Sequence, residues 1–463
     1  MVLKTIATLS LLLALGAAPL TATAQEAPKQ TPPAGGPPKA FTLPKKETFT
    51  LDNGIKVTLV PYGSVPKVAV SAVVRSGSIN EAENQTWLAD LTGQMLKEGA
   101  GSRDAAKIAE DAASMGGEVG VNAGPDTTTI SGDVLSEFGP QLVALLGDVA
   151  RKPTLPESEL PRLKTDMLRR LSIARSQPGP LASERFRQTL YPNHPYGRLY
   201  PTEASLGALT IDDVRKFYRD NFGAARTRIY VAGRFDAAAM KKAIKDAFGS
   251  WEKGSDVALN VPKPVGARSL SLIDRPGAAQ STLYVGLPAV DPSNPDYITL
   301  VVTNALLGGS FGSRITSNIR EQKGYTYSPS SQLSVRYRDG YWVEVADVTT
   351  AVTGPSLKEI FYEVDRLRNE PPSEAELQGI KNYLAGIFVL QNSSRQGVIG
   401  QLAFADLHGL PDTYLSTYVQ RVLAVTPADV QRAMKQYIAP DRMAIVVVGD
   451  KSKIADQLTP YQN

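Results

Sequence analysis

The side chains that most often carry hydrolytic or redox chemistry are scarce in this sequence. It contains no cysteine and only two histidines, His194 and His408, which are separated by 214 residues. This excludes a catalytic thiol, a thiolate metal site and a pair of imidazoles at helical spacing. We interpret His194, which precedes Pro195, as a loop residue. His408, which precedes Gly409, is predicted to end a helix and to interact with the helix dipole.

A glycine-rich segment is the stretch most similar to a phosphate-binding loop. It consists of Gly308, Gly309, Ser310, Phe311 and Gly312. The segment lacks the Lys-Ser/Thr pair of a P-loop and follows a helical pattern, which argues against phosphate. The formal net charge of the chain is only +4 and no run of Lys and Arg forms a basic stripe, which argues against nucleic acid as a partner.

The first residues have the pattern of a cleaved signal peptide. Lys4 supplies a positive charge, an apolar run extends from Ile6 to Leu15, and Ala22-Thr23-Ala24 is a small-x-small cleavage site. The run is well short of the ~20 residues that span a bilayer. We therefore expect cleavage after Ala24, no membrane anchor, and a periplasmic or secreted mature protein.

Changes in composition divide the chain into five segments. A signal peptide over 1–24 is followed by a Pro-rich tether over 25–46, which is typical of extended, solvated chain. Alternating strand and helix patterns fill residues 47–251 and again 269–463. Between them, at 252–268, the periodicity lapses and prolines accumulate, which predicts an interdomain linker.

The two large segments end in the same way. A helix start at Thr210 is followed by an apolar strand ending at Gly233, and Thr426 and Gly449 repeat this at the same distance of 23 residues. Threonine is a good N-cap residue, so each block predicts a capped helix and then a strand. Such self-similarity predicts an α+β fold of two homologous halves, each a mostly antiparallel sheet covered by helices.

Several segments together resemble the insulinase/pitrilysin metallopeptidase family. They are residues 51–55 (LDNGI), 74–81 (VRSGSINE), 191–197 (YPNHPYG), 274–280 (DRPGAAQ), 308–314 (GGSFGSR) and 319–324 (IREQKG). Their order and spacing match the family from about residue 45 to the C-terminus. The resemblance implies the two-halved fold that the internal repeat predicts independently, and it implies that the two halves face each other across a cleft.

The zinc-binding HxxEH motif of that family is degenerate here. Asp90 and Gln94 occupy the two histidine positions, and Gly93 occupies the position of the catalytic glutamate. The resemblance places a third ligand, a glutamate, near residues 164–171, where Asp166 lies among basic side chains. We therefore expect no metal in this chain. Leu88, Leu91 and Met95 keep the spacing of a buried helix face.

The second half retains a pair of residues that, in the family, reach the substrate. The resemblance assigns this role to Arg320 and Tyr327, with Tyr325 as the alternative tyrosine. A tyrosine hydroxyl can donate to the oxyanion of a hydrolysed peptide bond, and a guanidinium can hold a carbonyl. Arg320 is expected in a last helical turn ending at Gly324, and Tyr327 at the start of a strand. The glycine-rich segment is expected to contact substrate.

The leading hypothesis is a zinc-free subunit of an exported metalloendopeptidase. Its partner would be an HxxEH-containing subunit that holds the zinc, and the substrate would be a peptide. The alternative is a structural or peptide-binding pseudopeptidase with no role in cleavage. An autonomous peptidase with another mechanism is disfavoured, since the chain has no cysteine and no histidine pair. Whether two copies associate stays open.

Overall fold

The computed structural model describes residues 42, 44–258 and 260–462. The predicted signal peptide, 1–24, and most of the predicted tether, 25–46, lie outside these residues. The described residues fall within one compact unit, Ala40–Asn463. Within the described part of the chain, every helix is too short or too polar to cross a membrane.

The first half is built on a six-stranded sheet. The strands of this half are β1 (Glu47–Thr50), β2 (Lys56–Pro61), β3 (Lys67–Val74), β4 (Gly99–Ala100), β5 (Arg103–Asp104), β6 (Val119–Ala123), β7 (Thr128–Leu135) and β8 (Thr227–Gly233). The sheet has the order β1-β2-β8-β3-β7-β6, and only β2 and β8 pair in parallel. Strands β4 and β5 form a separate ribbon. Strand β6 therefore lies at an edge of the large sheet.

Eight helices belong to this half. They are α1 (Leu88–Met95), α2 (Ala105–Ser114), α3 (Gly139–Arg151), α4 (Leu160–Ser176), α5 (Pro178–Leu190), α6 (Glu203–Ala208), α7 (Ile211–Asn221) and α8 (Ala237–Phe248). Helices α1, α3 and α8 bury apolar side chains against one face of the sheet. This core fixes the position of α1, the helix that carries the degenerate metal motif.

The second half has a five-stranded sheet of similar design. Its strands are β9 (Ser269–Asp274), β10 (Gln280–Ala289), β11 (Ser330–Arg336), β12 (Asp339–Thr349) and β13 (Ala444–Gly449), in the order β11-β12-β10-β13-β9. Only β13 and β9 pair in parallel. Its helices are α9 (Tyr297–Asn304), α10 (Arg314–Thr316), α11 (Thr353–Asn369), α12 (Glu374–Gln391), α13 (Arg395–His408), α14 (Tyr414–Ala424), α15 (Pro427–Tyr437) and α16 (Lys451–Leu458). Two π-helical turns, Ala305–Gly309 and Ser317–Gln322, extend α9 and α10.

The repeated blocks of the sequence adopt the same local structure. The Thr210 hydroxyl accepts from the backbone N–H of Asp213, whose carboxylate accepts from the N–H of Thr210. Thr426 and Asp429 form the same reciprocal pair at the start of α15. Each capped helix then leads to a buried strand, β8 or β13. The predicted α+β fold of two homologous halves is confirmed.

One helix of each half packs against the sheet of the other half, which the sequence pattern did not predict. Phe186 of α5 belongs to an apolar cluster with Val446 of the second sheet. Ile399 of α13, at the equivalent place in the repeat, belongs to a cluster with Ala232 of the first sheet. Because each exchanged helix completes a core of the other half, the two halves are held together by buried apolar surface.

Candidate functional site

Helix α1 begins beside a buried carboxyl group. The backbone N–H of Ala89 donates to Glu81 Oε1 at 2.9 Å, which satisfies a donor of the first turn. Glu81 is 6% exposed, and burial raises its pKa to about 7, even though hydrogen bonds from Ala89 and Trp87 lower it. Glu81 therefore anchors the start of the helix that carries the degenerate motif.

The apolar face predicted for α1 is present, with Leu88, Leu91 and Met95 all buried. The three motif positions have different surroundings. Asp90 Oδ2 accepts from Arg170 Nη2 of α4 at 2.6 Å. Gly93 lies against β6. The Gln94 amide nitrogen is buried and has no hydrogen-bond partner. An ion pair and a buried amide thus stand where the family has metal ligands.

Arg170 is the residue of α4 that faces Asp90. Asp166, the single carboxylate in the predicted third-ligand segment 164–171, pairs with Arg162 and Arg169 on its own helix, at 3.8 and 3.3 Å. Sequence spacing alone did not fix which residue would face α1. In the folded protein the guanidinium of Arg170, rather than a carboxylate, faces Asp90 of α1.

This set of side chains does not fit zinc. Protein zinc sites use imidazole, thiolate or carboxylate ligands. Here the one carboxylate of the motif, Asp90, is already held by a cation that would repel the metal. Across residues 44–258 and 260–462, no three His, Cys, Asp or Glu side chains converge on a point that could hold a metal ion.

A cavity of about 380 Å³ opens beside Asp90. Its charged lining consists of Glu81, Asp90, Arg170, Arg187 and Arg198. The end of the edge strand β6 and the turn after it form another wall. Arginines outnumber carboxylates here, so the former metal region has become cationic.

Two of these arginines lack an ionic partner. Arg187, on α5, and Arg198, in the loop before α6, form no ion pair within the described part of the chain, and the Nε of each is buried without a hydrogen-bond partner. Burial lowers the pKa of Arg187. Arg198 Nη2 donates to the carbonyl oxygen of Glu81 at 2.8 Å. Both guanidiniums thus have unused donors.

In the second half, Arg320 lies between two exposed aromatic rings. Its guanidinium carbon is 4.3 Å from the ring centre of Phe311 and 5.0 Å from that of Tyr327. Phe311 is 71% and Tyr327 79% exposed. Arg320 belongs to the last helical turn before Gly324 (φ +67°), as predicted. The glycine-rich segment and the Arg/Tyr pair therefore form one aromatic-cation cluster, Phe311, Arg320 and Tyr327.

The prediction that Tyr327 begins a strand is wrong. Strand β11 begins at Ser330, and Tyr327 lies in the preceding loop. Pro329 has no N–H to donate to a ladder, so regular pairing starts only after it. Upstream, Thr326 forms an isolated bridge with Val348. Tyr325 is likewise outside the strand, and as a residue it is less exposed than Tyr327.

The glycine-rich segment is closely packed at its start. A Cβ at Gly308 would lie 2.5 Å from Glu344 Oε2. Glu344 is buried, which raises the pKa of its carboxyl group well above the usual range.

The glycine-rich segment also has the sequence pattern G-x-S-x-G, which is typical of a hydrolase nucleophile elbow. It follows a π-helical turn rather than a strand, and the buried Ser310 hydroxyl has no partner that could act as a base.

The two groups of predicted site residues remain separate. Asp90, Gly93 and Gln94 lie in the first half, whereas the aromatic-cation cluster lies in the second. No hydrogen bond, ion pair or ring contact between described residues joins them. Within one chain, the retained pair is therefore not in contact with the lost metal motif.

The histidines have structural roles. His194 Nδ1 accepts from the N–H of Tyr196 at 3.2 Å, and its Nε2 lies 3.1 Å from the carbonyl oxygen of Asn260. His408 ends α13 before Gly409, as predicted. Burial lowers the pKa of His408 to about 4. Its imidazole is therefore neutral at pH 7 and lacks the positive charge that a helix C-terminus favours.

Comparison with known proteins places this arrangement in a family. The family described as insulinase (peptidase family M16) matches residues 57–201, and the peptidase M16 inactive domain matches residues 208–384. A Bacillus subtilis protein named uncharacterized zinc protease YmxG is 26% identical over 351 residues, which are 75% of this chain and 84% of that protein.

Two further relatives are named as a non-peptidase homolog and as an inactive domain. A Helicobacter pylori protein called non-peptidase homolog YmxG is 21% identical, over 84% of this chain and 90% of its own length. The crystal structure of a peptidase M16 inactive domain from Pseudomonas fluorescens superimposes with a TM-score of 0.80 and 26% identity, covering 88% of this chain and 98% of that one. Together with the replaced ligands, these matches show that the chain is a non-catalytic member of the insulinase (M16) peptidase family that lacks the zinc motif.

Proposed function

We propose that this protein is the zinc-free subunit of an exported metalloendopeptidase. It pairs with an HxxEH-containing subunit of the same family and supplies Arg320 and Tyr327 to the peptide substrate. This chain itself holds no zinc. The observation that carries the proposal is the contrast between a degenerate metal motif and an aromatic-cation cluster whose two rings are exposed.

The geometry of the cluster suits a role in trans. A tyrosine that is 79% exposed beside an arginine has its hydroxyl available to a group outside its own chain. The guanidinium lies against the rings of Phe311 and Tyr327, which limits the positions that the Tyr327 ring can adopt. Such preorganised donors are what a developing oxyanion requires.

In this mechanism the chain contributes hydrogen bonds rather than a nucleophile. Zinc in the partner subunit would supply the activated water. Tyr327 donates its O–H to the oxygen of the attacked carbonyl, and Arg320 donates to a neighbouring carbonyl of the peptide while holding the ring. Tyr325 is the weaker candidate, since the ring contact to Arg320 is made by Tyr327.

The competing function is a peptide-binding scaffold with no part in cleavage. The free edge of β6, which ends at the cavity beside Asp90, favours it. Extended peptides bind such edges through backbone hydrogen bonds. This function requires neither Arg320 nor Tyr327.

The deciding experiment uses the mature chain alone and together with an exported HxxEH homologue, ideally one encoded in an adjacent reading frame. Co-purification, zinc content and chelator-sensitive cleavage of a peptide library are measured. We expect substoichiometric zinc and no cleavage for the chain alone, and cleavage by the pair above that of the homologue alone. One tightly held zinc with chelator-sensitive activity in the isolated chain would contradict the proposal.

A further inference from the structure

We propose that the cavity beside Asp90, at the lost metal motif, binds a peptide carboxylate, either a C-terminal carboxylate or an acidic side chain. The site belongs to the isolated chain, so the inference does not depend on a partner subunit or on Arg320 and Tyr327.

The charge of the cavity is the first argument. Arg170 is already paired with Asp90 at 2.6 Å. Arg187 and Arg198 are half-buried and form no ion pair among the described residues, although the charge of Arg198 lowers the pKa of the Glu81 carboxyl group in the same cavity. A guanidinium withdrawn from water without a counter-charge is costly, and an anion in the cavity would offset that cost.

The terminal donors of these arginines are the second argument. Arg187 and Arg198 line the cavity, and because their Nε atoms are buried out of its reach, the Nη groups are the donors that a ligand would meet. Guanidinium groups bind carboxylates through two parallel hydrogen bonds, which are stronger than those of neutral pairs. A volume of about 380 Å³ is in the range of small-ligand sites and is sufficient for the end of a peptide.

The adjoining wall favours a peptide over a free inorganic anion. The cavity is lined by residues 122–125, where the unpaired edge of β6 ends. Backbone groups at such an edge can hold the residues that precede a terminal carboxylate. Inorganic phosphate would use the arginines alone.

The test measures binding to the mature chain by calorimetry, with the fluorescence of Trp87, which lines the cavity, as a second readout. The probe is acetyl-Ala-Ala-Leu with a free carboxylate, compared with its C-terminal amide. We expect the amide to bind at least about tenfold more weakly. The amide of acetyl-Ala-Ala-Asp tests the side chain as the source of the carboxylate.

Two variants with opposite expected effects on affinity distinguish binding in this cavity from a general effect of charge. Arg170→Gln should weaken the free-acid peptide several-fold, whereas Asp90→Asn should strengthen it, since it removes a competing carboxylate. Arg169→Gln is the matched control. It lies on the same helix, is 72% exposed in its side chain and does not line the cavity. It should leave affinity unchanged, and circular dichroism checks the fold of each variant.

Three results would overturn the inference. The first is that acetyl-Ala-Ala-Leu, its C-terminal amide and the aspartate amide all bind equally, or that none of the three binds. The second is a loss in Arg169→Gln as large as in Arg170→Gln. The third is inorganic phosphate binding more tightly than any of the peptides, which would make the cavity a phosphate site.

Discussion

The two functional regions of this protein have changed in different ways. At the metal motif, helix α1 keeps its buried apolar face, while Asp90 pairs with a cation and the amide nitrogen of Gln94 is buried without a partner. In the second half, the guanidinium of Arg320 contacts the ring of Tyr327, which is exposed. The first region keeps its packing but not the metal-binding side chains, whereas in the second region the predicted pair is present and in contact.

This difference shows that the packing and ligating faces of α1 are separable. Leu88, Leu91 and Met95 fix the helix against the sheet through burial, which needs no particular residue at positions 90, 93 and 94. In the second half, the exposed rings of Phe311 and Tyr327 contribute little burial. Their contact with Arg320 therefore adds little to stability through removal of apolar surface from water.

Rebuilding the metal motif should give the largest effect. The triple variant Asp90→His, Gly93→Glu and Gln94→His should bind zinc weakly, because Arg170 faces the site. Adding Arg170→Glu replaces a cation by a ligand. At ~4 Å and an effective dielectric constant of ~20, one unit charge contributes about 4 kcal/mol, so zinc affinity should rise at least roughly a thousandfold.

Zinc content and competition with a chelator measure this gain. A Cβ at Gly93 would lie 3.5 Å from the Cβ of Ala123, so the added side chain can start without a backbone shift. Equal zinc affinity in the triple and quadruple variants would show that Arg170 is not the residue that blocks the metal.

Removing the Tyr327 hydroxyl should have the next largest effect. In the reconstituted complex, Tyr327→Phe should lower kcat by ~10²–10³ with little change in KM, the usual loss for one oxyanion donor. Tyr325→Phe is the matched control and should do much less. Arg320→Ala should lower kcat/KM without affecting assembly. Unchanged kinetics in both Tyr327→Phe and Arg320→Ala would favour the scaffold function.

Much of the fold could be predicted from the sequence because the signals were local and repeated. The capping pairs at Thr210 and Thr426 involve residues three apart, and the apolar strands after them are continuous. The exchange of α5 and α13 between halves was not predictable in this way. It depends on contacts between segments far apart in the chain, such as Phe186 with Val446.

The candidate site, like the fold, was predictable where it depends on local sequence and not where it depends on packing between distant segments. The replaced residues at 90, 93 and 94 are visible in the sequence, as is the spacing of Arg320 and Tyr327. The place of Arg170 opposite Asp90 depends on how two helices pack, and the cavity depends on residues from six separate segments. Pro329 was the missed local signal for the late start of β11.

The buried carboxyl group of Glu81 should make stability depend on pH. Its folded-state pKa of about 7 exceeds the ordinary value of 4.5. Stabilisation by its proton is therefore complete below pH 4.5 and is lost as the pH rises through about 7. Between about pH 5 and pH 8, wild type should lose about 2–3 kcal/mol relative to Glu81→Gln, whose amide oxygen can still accept from Ala89.

Urea unfolding of both proteins at the two pH values measures this difference, because other titrating groups are shared and cancel. Glu83→Gln, at a nearby exposed position, is the control and should show the same pH dependence as wild type. A constant difference between Glu81→Gln and wild type across this range would show that Glu81 is ionised in the folded protein.

Breaking the ion pair that replaces the metal should have the smallest effect. The side chains of Asp90 and Arg170 are 35% and 49% exposed, and such pairs contribute about 1 kcal/mol or less. In Asp90→Asn, Arg170 can keep its contact with the ring of Trp87, at 5.2 Å. Urea unfolding at low and high salt should show a small loss that salt reduces. A loss above about 3 kcal/mol, as for a buried pair, would mean that the ion pair joins α1 to α4 as a structural metal would, and that the first region was refashioned for stability.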